Sequence, residues 1–219
     1  MDYYLTMRSE ATTTDRREGP TFIETARRDQ IVTAAIDTIA ELGYGQSSLD
    51  RIASRARTSK GVICYHFAGK EELVKEVFAQ VLTKAEAYMR RRIIAESTGP
   101  GMLRAYIKSN VGFIGEHRNH VVALGEIAHN ARGADGSRPF DTSVLKASVD
   151  ALQQLLGHLQ RTGELRAGFD ASLMAVAIRA AIDAAPPRLA ADPKFDFGQY
   201  GRELADLFDL ATRNPTGRR

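Results

Sequence analysis

Between Ser47 and Leu73 the chain reads SSLDRIASRARTSKGVICYHFAGKEEL, a pattern that few folds accommodate. Two short helical runs flank a tight turn, and a longer helix begins directly after them. Ser47-Ser48-Leu49-Asp50 is a serine cap with an acid three positions on, a capping-box-like start. Ile52 and Ala53 are the inward residues of the first run, and Ile63 and Phe67 those of the second. The second run begins at Thr58 or Ser59, ends near His66, and carries small and polar groups suited to a DNA groove. A generic helical hairpin would not need that order of residues.

Nearly every other segment has helical periodicity, and no strand pattern or internal repeat stands out. Ile31, Ala34, Ala35, Thr38, Ile39 and Leu42 form one apolar stripe, stopped by Gly43. From Lys70 a long stripe runs through Leu73, Val77, Val81 and Ala85 to Met89, with Gly69 as its cap and Gly99-Pro100-Gly101 as its break. Two helices are expected over 101–116 and 117–130, and a loop over 132–139. A further helix follows Leu145, Val149, Leu152, Leu156 and Leu159 and ends near Gly163. Two last helices are expected over about 170–185 and 197–212, with Pro186-Pro187 ending the first.

A chain of 219 residues suffices for a small domain plus a larger one. Its net charge of +3 argues against a protein that coats nucleic acid non-specifically. The basic character is local: Arg51, Arg55, Arg57, Lys60 and Lys70 face only Asp50 within residues 47–70, a net +4. One cysteine, Cys64, excludes an intrachain disulfide and a Cys-rich zinc site. No apolar run approaches the ~20 residues of a membrane span, and residues 1–20 lack the apolar core of a secretory signal. A cytoplasmic location is the default expectation. Residues 1–20 are expected to be a disordered extension, their Arg8, Arg16 and Arg17 offset by acids.

The ordered residues resemble the TetR family of bacterial transcriptional regulators. The resemblance is carried by Leu49-x-x-Ile52-Ala53, then Thr58-Ser59-Lys60-Gly61-Val62-Ile63-x-Tyr65-His66-Phe67-x-x-Lys70-Glu71-Glu72-Leu73. The motif-level match covers roughly residues 27–78, and beyond it the likeness is architectural. The resemblance implies an all-α homodimer of about nine helices. Residues 21–69 would form a three-helix helix-turn-helix DNA-binding domain, and residues 70–219 a larger helical ligand-binding and dimerisation domain. It also implies a repressor that binds a pseudo-palindromic operator and is released by a small-molecule effector. Two features depart from the family pattern. Ala56-Arg57-Thr58 replaces the usual Ala-Gly-Val, putting Arg57 where glycine's positive φ is favoured. Cys64 replaces a frequent Tyr.

A helix in the major groove reads base edges while its surroundings grip phosphates. Lys60 is the candidate for guanine O6 and N7 or for phosphate. Gly61 lets the backbone approach, and Val62 suits a thymine methyl. Tyr65 and His66 offer hydrogen bonds to phosphate. Ser47, Ser48, Arg57, Thr58, Ser59 and Lys70 complete the expected DNA contacts, with the alternative that Ser47 and Thr58 are only helix caps and Lys70 a solvated charge.

Effector pockets are mostly apolar with a few polar orienters. The candidates are Tyr88, Met89, Met102, Tyr106, Phe113, Phe140 and Leu152, with His117, Glu126 and His129 as orienters, and a hydrophobic or amphipathic ligand. Core packing is the plainer reading for most of them. His117 and His120 sit three apart, but their spacing to Glu126 is too loose to expect a metal, and no cofactor is expected. Ile178, Ala181, Ile182, Tyr200, Leu204, Leu207 and Phe208 are the expected dimer interface, on apolar faces larger than a solvated pair would need. No nucleophile elbow, phosphate loop or zinc-protease motif is present, so an enzyme is not expected. The competing reading is a DNA-binding regulator with no small ligand, controlled by a protein partner.

Overall fold

The computed structural model describes residues 21–132, 136, 140 and 143–215, so the expected N-terminal extension lies outside the described residues. The described chain is all-α: α1 (Phe22–Gln46), α2 (Leu49–Arg55), α3 (Lys60–His66), α4 (Lys70–Ile93), α5 (Gly99–Glu116), α6 (Arg118–Asn130), α7 (Ser143–Arg161), α8 (Ala171–Asp183), α9 (Arg188–Ala191) and α10 (Phe197–Thr212). α9 is a single turn, where only a break was expected: Pro187, with φ fixed for helix entry, is its N-cap. Its neighbour α10 spans the expected residues.

Local signals set the boundaries. Thr21 and Glu24 form a full capping box at the start of α1. Gly43 takes φ 78 and breaks α1 before its last residues. Ser48, not Ser47, caps α2 by accepting from the Arg51 N–H, so the expected box with Asp50 does not form. Ser59 caps α3 through the Val62 N–H. Gly99-Pro100-Gly101 lies in the first turn of α5 rather than between helices. There Pro100 needs no N–H donor. A Cβ on Gly99 would lie 2.5 Å from Leu159 Cδ2, so any larger residue there would displace the Leu159 side chain of α7. Asp196 caps α10 through the Gln199 N–H. Where the sequence suggested no extended pairing, one isolated antiparallel bridge joins Leu165 to Arg213 and ties the loop after α7 to the end of α10.

Two apolar cores result. The first gathers Ile31, Ala35 and Ile39 of α1 with Ile52, Ile63, Phe67, Leu73 and Val77, and it also takes in Ala123 and Ile127 of α6. α1 is therefore covered on two sides, which is why Val32 and Ile36, outside the expected stripe, are buried too. The second core joins Leu103, Ile107 and Val111 of α5 to Leu152, Leu156, Ile178, Leu204 and Phe208. α5 and α10 lie close enough that a Cβ on Gly201 would come 3.3 Å from Val111 and one on Gly115 2.8 Å from Phe197. Burying each of these large side chains contributes about 1.5–3 kcal/mol. α4 runs out of the first core along α5.

Candidate DNA-binding surface and effector cleft

α2 and α3 have seven residues each, too short to hold themselves. They are held against α1 by burial of Ile52, Ala53, Ala56, Ile63 and Phe67. Polar ties fix both ends of α3's setting. Gln30 Nε2 donates to the Ala56 carbonyl at 2.9 Å. Arg28 donates to the His66 carbonyl at 2.6 Å while its guanidinium covers the Phe67 ring at 4.3 Å. Neither tie was anticipated, because no sequence rule pairs residues that far apart.

The turn between α2 and α3 is a Schellman motif. Thr58 N donates to the Ala53 carbonyl at 3.0 Å and Arg57 N to the Ser54 carbonyl at 3.1 Å. Arg57 occupies the left-handed position with φ 50, the strain that its replacement of glycine predicted. Its side chain is exposed.

With Ile63 and Phe67 turned inward, α3 presents Lys60, Gly61, Cys64 and Tyr65 outward, Tyr65 being 74% exposed. A Cβ on Gly61 would meet only Ser59 Oγ, at 3.7 Å. The chain's own packing does not require that glycine, which fits a surface approached from outside. Lys60 Nζ rests 3.0 Å from Asp50 in an exposed ion pair, a weak hold that a phosphate or base can displace. Tyr65 Oη lies 3.4 Å from Glu24 of the α1 capping box and its ring packs edge-on to His66. Ser48 and Ser59 accept at their caps, and each hydroxyl keeps its proton for donation. Val62 packs partly on the first core rather than standing free, and Thr58 is half-buried.

Two expected phosphate clamps are corrected. Ser47 is fully buried, its hydroxyl donating to the Tyr44 carbonyl at 2.7 Å. Lys70 Nζ donates to the same carbonyl at 2.6 Å and sits 4.2 Å from the Tyr44 ring, and burial pulls its pKa below the usual lysine value. Both close off the backbone freed at the Gly43 break. Glu126 of α6 completes this joint by accepting from the Tyr44 N–H at 3.0 Å. It is a link between the two parts of the molecule rather than a ligand orienter.

In the second part an open cleft of about 790 Å³ lies between the C-terminal half of α4, α5 and the start of α10, within the size range of small-molecule sites. Tyr88, Arg91, Arg92, Lys108, Ser109, Gly112, Glu116, Gly198 and Arg202 are among its walls. Tyr88 donates to Glu116 at 2.6 Å and lies under the Arg92 guanidinium, 3.4 Å from its ring centroid. Burial and then the Glu116 bond push the Tyr88 pKa up to about 12, so the phenol keeps its proton as a donor at neutral pH. Behind it, Phe113 stacks on His117 at 4.4 Å, and the buried His117 Nδ1 has no partner among the described residues.

Of the residues expected to line an effector pocket, only Tyr88 lines this cleft, with Phe113 and His117 packed behind it. Leu152 belongs to the second core. Phe140 stacks on Phe78 beside the first core. Tyr106 accepts from Arg179 of α8 at 3.3 Å. Met89 and Met102 are half-buried elsewhere, and His129 is exposed with its ring nitrogen 2.8 Å from the Gly125 carbonyl. The cationic walls were missed, although the Arg90-Arg91-Arg92 run was visible; Lys108 and Arg202 join it only in three dimensions.

The expected dimer face also needs correction. Ile178, Ile182, Leu204 and Phe208 are buried within the subunit, and Ala181 and Tyr200 are half-buried, with Tyr200 Oη donating to the Ala181 carbonyl at 2.7 Å. Of those residues Leu207 is exposed, at 57%, and it is joined by Leu173 and Val176 of α8 and Leu210 of α10.

This combination of fold and surface defines a helix-turn-helix, DNA-binding transcription regulator. Residues 31–77 match the family model described as "Bacterial regulatory proteins, tetR family", so this segment is that of a TetR-type regulator. It is 26% identical over 187 residues to the fatty acid metabolism regulator protein of Bacillus subtilis (strain 168), covering 84% of this chain and 95% of that one. It is 34% identical over 85 residues to the HTH-type transcriptional regulator BetI 1 of Chromohalobacter salexigens, covering 38% of this chain and 42% of that protein. Among solved structures it superposes with a TM-score of 0.71 on the fatty acid degradation regulator FadR from Bacillus halodurans, at 20% identity, covering 93% of this chain and all of the other (100%). It superposes with a TM-score of 0.68 on the transcriptional regulator FadR from Bacillus subtilis in complex with stearoyl-CoA, at 25% identity, covering 82% and 96%. Among the described residues no helix is long and apolar enough to cross a membrane.

Proposed function

We propose that this regulator is a homodimeric repressor that binds a pseudo-palindromic operator through α3 and leaves it when an acyl-coenzyme A thioester binds the second helical unit. The observation that carries the DNA reading is the outward stripe Lys60, Gly61, Cys64 and Tyr65, with a glycine that nothing in the chain's own packing requires. Arg57 and the cap hydroxyls of Ser48 and Ser59 flank it as phosphate donors. The effector class is supported by the length over which the chain matches a fatty acid metabolism regulator, and by the stearoyl-CoA complex of a structural relative. The BetI match covers 85 residues, 38% of the chain, too little to carry an effector class.

Dimerisation rests on Leu173, Val176, Leu207 and Leu210, large apolar side chains that one subunit leaves in water. A two-fold pairing of α8 and α10 with their copies would cover them as a four-helix bundle. Two recognition helices then face two half-sites about 34 Å apart.

The test is capture of genomic fragments by the purified protein, followed by footprinting with and without acyl-CoA. A two-fold symmetric footprint that vanishes with an acyl-CoA supports the proposal. A footprint indifferent to every acyl-CoA, with no stabilising compound in a thermal-shift screen, favours a regulator controlled by a protein partner. Sedimentation of Leu173→Glu/Leu207→Glu should give a monomer where the parent gives a dimer.

A further inference from the structure

We propose that the cleft between α4, α5 and α10 is a phosphate-binding site, in which Arg91, Arg92, Lys108 and Arg202 hold the phosphate groups of a nucleotide-bearing effector. Four cations from three helices share this cleft with only two acids, Glu96 and Glu116. Glu116 already accepts from Tyr88. Arg91, Lys108 and Arg202 have neither an ion pair nor a hydrogen bond among the described residues. Such an unneutralised cluster raises the free energy of the empty protein and is relieved by a bound polyanion.

Two ordinary explanations of the cluster fall short. Cations in the last turn of α4 complement that helix's dipole, which accounts for Arg91 and Arg92 alone. Lys108 in the middle of α5 and Arg202 in the second turn of α10 have no such role. Contact with operator phosphates is excluded by distance, since Arg91 lies roughly 30 Å along α4 from the end that adjoins α3, at 1.5 Å per residue.

The shape agrees with the charge. Gly198 brings the first turn of α10 to the cleft wall, with N–H groups that have no intrahelical acceptor. A Cβ on Gly112 would lie 3.1 Å from Tyr88 Oη, so glycine there leaves the phenol in its place against Glu116. Arg92 is pinned over the Tyr88 ring, with NH1 donating to the Tyr88 carbonyl at 2.9 Å, and so is pre-oriented for a bidentate phosphate contact. The ligand's identity, coenzyme A with its several phosphates, rests on the acyl-CoA reading above; the charge complementarity does not.

Titration calorimetry on the full-length protein tests this with four probes: stearoyl-CoA, coenzyme A, 3′-dephospho-coenzyme A and adenosine 3′,5′-bisphosphate. Arg91→Ala, Lys108→Ala and Arg202→Ala are each expected to weaken coenzyme A binding about tenfold, while Lys194→Ala, outside the cleft, leaves it unchanged. Removing the ligand's 3′-phosphate should lessen the effect of at least one of the three substitutions. Melting curves establish that each variant is folded. Equal binding of the phosphate probes by parent and cleft variants overturns the proposal while leaving the acyl-CoA reading standing. Binding of adenosine 3′,5′-bisphosphate that the variants lose, with no release of DNA by any acyl-CoA, supports the site and sinks the effector assignment. No binding of any of the four probes overturns the site.

Discussion

In the first core α2 and α3 are seven residues each and depend on neighbours, through two serine caps, a Schellman turn and two side chains from α1 that grip their backbone. In the second, helices of up to 19 residues are stabilised mainly by packing, and contacts between sequence-distant apolar faces decide their arrangement. Short elements must advertise their boundaries in the sequence, because caps and turn residues are their main local stabilisers. Long helices advertise only that they are helices. The candidate DNA-binding surface is accordingly specified locally, and the cationic cleft exists only where α4, α5 and α10 converge.

The largest expected effect comes from attacking the first core. Phe67→Ala removes a ring that is 1% exposed and should cost about 3–5 kcal/mol, a large share of a typical domain's stability. Chemical denaturation should show that loss together with loss of operator binding. If ligand binding in the second part persists, the two cores are separable; if it goes too, α6 couples them into one cooperative unit.

Next is the joint between them. Glu126→Ala leaves the Tyr44 N–H without its acceptor and should cost about 1–3 kcal/mol. A larger shift in effector response than in operator affinity would mark the joint as a relay. Equal stability of variant and parent would show that Lys70 and Ser47 alone secure the Gly43 break.

Gly61→Ala separates folding from DNA recognition within α3. The added methyl meets only Ser59 Oγ, at ordinary contact distance, so the fold should gain about 1 kcal/mol from helix propensity. Operator affinity should fall, because the methyl stands where DNA approaches. A stabilised variant with unchanged affinity would remove Gly61 from the interface. Arg57→Gly should relieve the left-handed strain and stabilise by about 1 kcal/mol, seen as a rise in Tm.

The smallest effect is a pH dependence. Burial first, then Lys84 and His117, hold the His120 pKa below its ordinary value, with Asp37 opposing. The folded protein therefore takes up this proton less readily than the unfolded chain. The associated stability is present above pH 6.5 and is lost as pH falls below it through the lowered folded value. The Tm of the parent should drop between pH 7 and 5.5 more steeply than that of His120→Asn.

Much of the first part could be read directly. The order from Leu49 to Leu73 located α2, α3 and the start of α4, and the Arg57 substitution foretold a left-handed residue. Long-range polar contacts were invisible there: Lys70 looked like a free phosphate clamp until Tyr44 was placed beside it. In the second part the helices were found but their faces were not. α8 is apolar on both sides, with Ile178 and Ile182 inward and Leu173 and Val176 outward, so periodicity could not say which face meets the subunit's own core. The pocket expectation followed aromatic residues, most of which pack in or beside the cores, whereas the cleft is walled by cations scattered over three helices.

In the proposed mechanism, occupancy of the second part releases DNA from the first. Its most direct test is fluorescence anisotropy of a captured, labelled operator fragment titrated with acyl-CoA thioesters of increasing chain length. The expected result is dissociation of the fragment at the ligand concentrations that saturate the protein in calorimetry. A fragment that stays bound while the protein is saturated would contradict it.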